Sequence, residues 1–208
     1  YVLMKTGVFT STIAEAGAFI KTKDELEAPN IQLHYAPAMV IDHGRKSAWG
    51  TGLSCHFCLL RPKSRGEVTL ESADPFADPL IDPKILTHPD DMQDMIDGYK
   101  AMMKVLNNAS FSKYISQNTQ RPIDINDDAD IEKAIREEAD TVYHPVGTCK
   151  MGDDDMSVVS SDLKVHKMKG LRVVDASIMP TLVGGNTNAP TIMIGEKASD
   201  LILNEWRI

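Results

Sequence analysis

The sequence predicts an α+β chain, an antiparallel sheet with flanking helices. Three observations carry this. Short runs with alternating apolar residues lie before Leu70, two helix-period patterns occupy the middle, and an apolar strand, a glycine loop and a helix close the chain.

In order, Gly7 to Phe19 is small and apolar with Glu15 alone inside it, and Asp24 to Asn30 is a polar linker. Ile31 to Val40 reads as a strand, Ile31, Leu33 and Tyr35 alternating with Gln32 and His34. Asp42 to Gly52 is a loop, and Leu53 to Leu60 is an apolar run of strand length. Arg61 to Gly66 turns on Pro62 and Gly66, and Val68 and Leu70 alternate with Glu67 and Thr69 as a further strand. Pro75, Pro79 and Pro83 exclude helix between Asp74 and Pro83 and favour extended or turn backbone.

The strongest pattern follows. Met92, Met95, Ile96, Tyr99, Met102, Met103 and Leu106 recur at offsets 0, 3, 4, 7, 10, 11 and 14, one face of a 3.6-residue helix. Pro89 suits its first turn, Asp90, Asp91 and Asp94 its positive end, and Asn107 or Asn108 its stop. A second helix is predicted from about Asp127 to Asp140, with Asp127 or Asp128 as cap. Leu171 to Val174 reads as a short strand closed by Asp175, Ser177 to Asn188 as a loop, and Pro190 as the opening of a last helix.

Composition bounds the function. The 208 residues carry 22 Lys and Arg against 30 Asp and Glu, a net charge of −8, with 42% hydrophobic and 25% charged residues. That excludes a disordered tail, and 13 Gly and 11 Pro without period exclude a collagen-like chain. An acidic chain with no basic stripe is no nucleic-acid binder. The longest uncharged stretch, Ala176 to Gly195, is broken by Pro180, Gly184, Gly185 and Pro190 and is unsuited to crossing a bilayer. No signal peptide is visible, and a start at Tyr1 leads us to expect a longer parent protein. Three cysteines cannot close a disulfide framework, so a reducing, cytoplasmic compartment is expected, with membrane association of the parent left open.

Several motifs dissolve on inspection. Cys55 and Cys58 sit in a strand, where residues three apart face opposite ways, so they are read as structural thiols rather than a metal or redox pair. None of the six histidines forms an HExxH pair, and no metal site is expected. The run Asp124 to Asp128 fails as a calcium loop, with Ala129 where glycine is needed and Ile135 where the bidentate glutamate belongs. Asn108-Ala-Ser110 matches a glycosylation sequon but sits at a helix end.

Two features hold chemistry. In Tyr143-His-Pro-Val-Gly-Thr-Cys149, Pro145 holds His144 extended and Gly147 permits a tight turn or a close approach; an imidazole so constrained suits proton transfer, though the motif taken alone favours a structural histidine. In Gly184-Gly-Asn-Thr-Asn-Ala-Pro190, a helix start leaves free amides for an anion or an electron-rich ring oxygen, or Asn188 simply caps the helix.

With both features in view the chain resembles the C-terminal half of the glucose–methanol–choline (GMC) family of flavin-dependent oxidoreductases, most closely its choline dehydrogenase and bacterial alcohol dehydrogenase branch. The resemblance rests on Ile13-Ala-Glu-Ala-Gly-Ala-Phe19, Leu60-Arg-Pro-Lys-Ser-Arg-Gly66, Ser72-Ala-Asp-Pro75, Tyr143 to Gly152, Gly170 to Pro180, and Gly185 to Ile202. It implies oxidation of an alcohol by hydride transfer to flavin N5, with His144 on the active-site histidine and Asn186 on the second active-site position. Asparagine is no base near neutral pH, so His144 takes the proton while Asn186 orients the substrate oxygen. The same resemblance implies FAD contacts from Asp175 and Ala176, and from Asn186, Thr187, Asn188 and Pro190 beside the flavin ring. It puts Glu15 near the substrate pocket, where a carboxylate could attract a cationic alcohol or serve a structural pair.

One departure is large. The family's GxGxxG unit for the ADP half of FAD is missing from this sequence. The resemblance therefore implies a substrate-domain portion, residues 1–149, followed at 150–208 by the C-terminal strand–loop–helix segment of a Rossmann-like FAD domain. The partner it implies is the missing N-terminal half; the identity of the alcohol and the electron acceptor stay open, and the chain alone is expected to be inactive. The alternative is a catalytically silent binding module that keeps the fold.

Overall fold

The polar linker before Asn30 joins two strands. In the computed structural model, which describes residues 10, 12, 14–46, 50, 52–115 and 122–206, β1 (Ala16–Ile20) pairs antiparallel with β2 (Ile31–Ala36), Ile20 opposite Ile31 and Ala16 opposite Tyr35. β3 (Ser54–Leu59) pairs antiparallel with the other edge of β2, Ile31 opposite Leu59 and Ala36 opposite Ser54. β2 stops at Ala36, short of the expected Val40, because Pro37 has no amide for the ladder. As the central strand it is covered on both faces: Ile31 and Leu33 are buried, and so is Gln32, which alternation places outside. β1 was expected only as part of a small apolar stretch; Gly7 to Phe9 of that stretch lie outside the described residues.

The helical stripe becomes α1 (Pro89–Leu106), with Asp90 and Asp91 in its first turn. Its Met102, Tyr99, Met103 and Leu106 pack with Ile31, Leu33, Phe57 and Leu59 of the sheet. The approach is close at Gly98, where a Cβ would stand 2.8 Å from Ile31 Cδ1 and 3.3 Å from Phe57 Cδ2. A one-turn helix α2 (Ala109–Ser112) follows, and the Asn108 side chain of the sequon is its cap, accepting from Ser110 N at 3.0 Å. α3 (Asp128–Glu138) packs on α1 and buries Ile131, Ala134 and Ile135. The acidic run before it serves local amides: Asp127 Oδ1 accepts from Ala129 N and Asp124 Oδ1 from Asn126 N, each at 2.9 Å. These elements form one compact unit, Tyr1–Leu60 with Pro89–Ala139.

The second unit joins Arg61–His88 to Asp140–Ile208. β4 (Glu67–Thr69) pairs antiparallel with β5 (Leu80–Asp82), the extended backbone expected between prolines. The strand expected at Leu171–Val174 is a single antiparallel bridge, Arg172 to Lys164, flanked by Val165 N to Leu171 O at 3.0 Å and Val173 N to Leu163 O at 3.1 Å. Only that short segment offers a ladder, so no strand propagates, and Leu171 and Val174 stay exposed. α4 (Asn188–Trp206) anchors through Ile194 and Ala198 in a core shared with Val159, Leu163, Ile178 and Met179. Its far end is tied by Glu205 to Lys164 Nζ at 2.8 Å and to Arg172. α4 is two turns' worth of apolar residues too rich for one face: Ile192, Met193, Leu203 and Trp206 are exposed. No helix among the described residues is long and apolar enough to cross a membrane.

Two outcomes follow from this packing. Gly98→Val forces a branched side chain into Ile31 and Phe57, and overpacking of this kind costs about 1–3 kcal/mol; a denaturant melt indistinguishable from the parent sequence contradicts the close α1–sheet approach. Hydrogen bonds from Lys164 and then Arg172 pull the Glu205 carboxyl down from 4.5 to about 2. A depressed carboxylate stabilises the fold above its unfolded value and loses that effect as pH falls through the folded one. Glu205→Gln therefore flattens the fall of melting temperature between about pH 4.5 and pH 2, a modest effect because the group is exposed; parallel curves for the two proteins contradict it.

Candidate active site

His144 is positioned from both sides. Tyr143 before it takes φ +63°, a left-handed conformation uncommon for a large side chain. Pro145 after it disfavours helical backbone at the histidine. Gly147 has φ +91°, which no β-carbon residue adopts easily, and its Cβ position would meet Met179 O at 3.4 Å. Val146 packs against the core of the second unit. Two backbone hydrogen bonds then tie this segment to the loop that leads to α4: Cys149 N to Ser177 O at 3.0 Å and Met151 N to Ile178 O at 2.8 Å.

That loop brings Asn186 and Thr187 to the histidine. Asn186 Nδ2 lies 3.0 Å from His144 Nε2, and Thr187 Oγ1 lies 2.8 Å from His144 Nδ1. Thr187 is buried, and its carbonyl accepts from both Thr191 N at 3.0 Å and Thr191 Oγ1 at 2.7 Å, so α4 holds it firmly. Asn186 is exposed and His144 half-buried, so the pair opens to the surface. The two catalytic candidates named from sequence thus meet directly; both rings of contact lie within the second unit.

The remaining candidates fall as follows. Asp175 Oδ1 accepts from Ser177 N at 2.8 Å and Ser177 Oγ at 2.5 Å, capping the turn Ala176–Ile178, while its Oδ2 takes no hydrogen bond among the described residues. Asn188 and Ala189 open α4 with exposed backbone, and Pro190 has no N–H to offer. Asn188 is the first residue of the helix rather than a cap outside it. Glu15 stands exposed just before β1, in the first unit. Thr187 was expected beside the flavin; its hydroxyl contact with His144 is what sequence reasoning missed, and the only signal for it is the step from Asn186 to the next residue on a helix-entry loop.

Other chemistry is quiet. Burial pushes the Cys55 thiol up to about 11 and the Cys58 thiol upward as well, away from the thiolate that redox or metal chemistry needs. Among the described residues no group of three or more His, Cys, Asp and Glu side chains could hold a metal. A cavity of about 270 Å³ in the second unit is lined by Arg61, Pro62, Lys63, Arg65, Thr181 and Leu182. It contains neither His144 nor Asn186, so side-chain geometry rather than cavity volume defines the site.

An antiparallel sheet backed by helices lies in the first unit, and a histidine–amide pair beside the start of a helix lies in the second. The GMC oxidoreductase C-terminal pattern matches residues 62–195, more than half of the chain, and the chain belongs to that family. It is 46% identical over 205 residues to an alcohol dehydrogenase [acceptor] of Pseudomonas putida, covering 99% of this chain and 37% of that protein. It is 42% identical over 197 residues to an oxygen-dependent choline dehydrogenase of Klebsiella pneumoniae, covering 95% of this chain and 36% of that protein. A solved variant of Aspergillus oryzae RIB40 formate oxidase, studied for modification of its FAD, superposes with a TM-score of 0.81 at 29% identity, over 87% of this chain and 32% of that one. The chain therefore spans little more than a third of the length of the relatives it matches.

Proposed function

We propose that the whole protein containing this chain is an FAD-dependent oxidoreductase that oxidises a small alcohol, choline or an aliphatic one, to the aldehyde. The observation that carries the reading is the 3.0 Å approach of His144 Nε2 and Asn186 Nδ2 on the open side of the second unit, in a chain of the GMC family. The relatives named alcohol dehydrogenase and choline dehydrogenase support the substrate class.

A hydroxyl entering this pair meets a base in His144 and a donor in Asn186. The imidazole takes the hydroxyl proton, and the amide N–H holds the substrate oxygen. Tyr143, Gly147 and the two backbone bonds to Ser177 and Ile178 keep the imidazole in place, so orientation is set before substrate arrives. When bound, FAD supplies the acceptor for the carbinol hydride.

The residues present suit that cofactor. The exposed amides of Asn188 and Ala189 at the start of α4 favour an electron-rich ring edge, and the unclaimed Oδ2 of Asp175 can accept from a hydroxyl. We assign Asp175, Ala176, Asn186, Thr187, Asn188 and Pro190 to holding it, and residues 150–208 to the cofactor domain of the whole protein, with 1–149 on the substrate side. The exposed Ile192, Met193, Leu203 and Trp206 of α4 support this assignment, because apolar side chains left uncovered in this chain are ones that a larger core can cover. We place Glu15 among the substrate contacts on resemblance alone.

In the full-length protein, His144→Ala lowers dye-coupled alcohol oxidation by roughly 10²–10⁴, the usual span for loss of a general base. Rates near those of the unmodified enzyme at pH 7, on choline and on a panel of aliphatic alcohols, remove His144 from the role.

A further inference from the structure

We propose that Thr187 is a positioning residue that fixes which nitrogen of His144 carries the proton. The inference rests on His144 acting as base, but its geometry stands alone. The amide nitrogen of Asn186 can only donate, so His144 Nε2, 3.0 Å away, must accept. A neutral imidazole has one N–H, which then sits on Nδ1 and donates to Thr187 Oγ1 at 2.8 Å.

Thr187 is built for this. It is 8% exposed, so no water stands in readily for its hydroxyl. Its carbonyl is held by Thr191 N and Thr191 Oγ1 across the first turn of α4, and α4 is anchored in the core through Ile194 and Ala198. The hydroxyl oxygen is thus fixed relative to the helix, and the histidine ring is gripped at both nitrogens, one by a buried acceptor and one by an exposed donor. The consequence is chemical: the lone pair is on Nε2 beside the exposed Asn186, and a substrate hydroxyl that displaces the amide N–H from it meets a base. With the opposite tautomer, Nε2 would present an N–H there and could not remove a proton.

The test uses the full-length holoenzyme labelled with ¹⁵N-histidine, the His144 signals being identified by their loss in His144→Gln. Above neutral pH the unmodified protein shows Nδ1 protonated and Nε2 bare. Thr187→Val, which keeps the shape and removes the acceptor, loses that preference and lowers kcat about tenfold to a hundredfold, by analogy with the loss when a partner orienting a metal-bound histidine is removed, while KM changes little. Thr187→Ser restores both. An unmodified protein protonated on Nε2, or a valine variant with unmodified turnover, overturns the inference. The tautomer readout does not depend on turnover, so a His144→Ala enzyme that still oxidises alcohols would sink the proposed reaction and leave this result to be read on its own.

Discussion

Two backbone hydrogen bonds, from Cys149 N to Ser177 O and from Met151 N to Ile178 O, set the rest of the second unit. They run between a segment that has a single β-bridge, Met151 to Val159, and the one-turn 3-10 helix Ala176–Ile178. Once they form, the extended stretch that carries His144 lies beside the turn capped by Asp175, and the loop that leaves that turn can only return past the imidazole on its way into α4. The core of Val159, Leu163, Ile178, Met179, Ile194 and Ala198 fills beneath them. The site is therefore a product of packing in irregular backbone, held in register by a few bonds, with strain stored at Tyr143.

The division of labour around the histidine follows from what each side chain can do. A carboxamide near neutral pH neither gains nor loses a proton, so Asn186 contributes direction and polarity. The helix entry contributes uncharged backbone donors at Asn188 and Ala189, both exposed residues. Burial pushes the Cys55 thiol up to about 11, away from the thiolate. The histidine–amide pair opens to the surface of the second unit, in a chain that spans little more than a third of the length of its relatives.

What could be read from the sequence was what is encoded locally. α1 and α3 were legible because apolar spacing, Pro89 and the cap Asp127 are properties of neighbouring residues. β2 and β3 were legible in place and not in length, since Pro37 ends one of them by denying an amide to its partner. β1 carries too few polar residues to alternate, and the strand at Leu171–Val174 was overread because its apolar residues speak of burial that this chain does not supply. His144 and Asn186 were legible as family positions, and their meeting point was implied by that resemblance alone. The contact of Thr187 with His144 was not legible, because nothing local shows that a hydroxyl is aimed at a ring nitrogen of a histidine 43 positions away.

The central claim is that His144 and Asn186 act as one device through a shared contact. A double-mutant cycle on alcohol oxidation by the full-length enzyme tests it most directly, with His144→Ala, Asn186→Ala and the double variant compared by kcat/KM. A shared contact predicts strong non-additivity, the double variant falling little below His144→Ala alone. Losses that simply add would mean that the two side chains work independently, and would contradict the account.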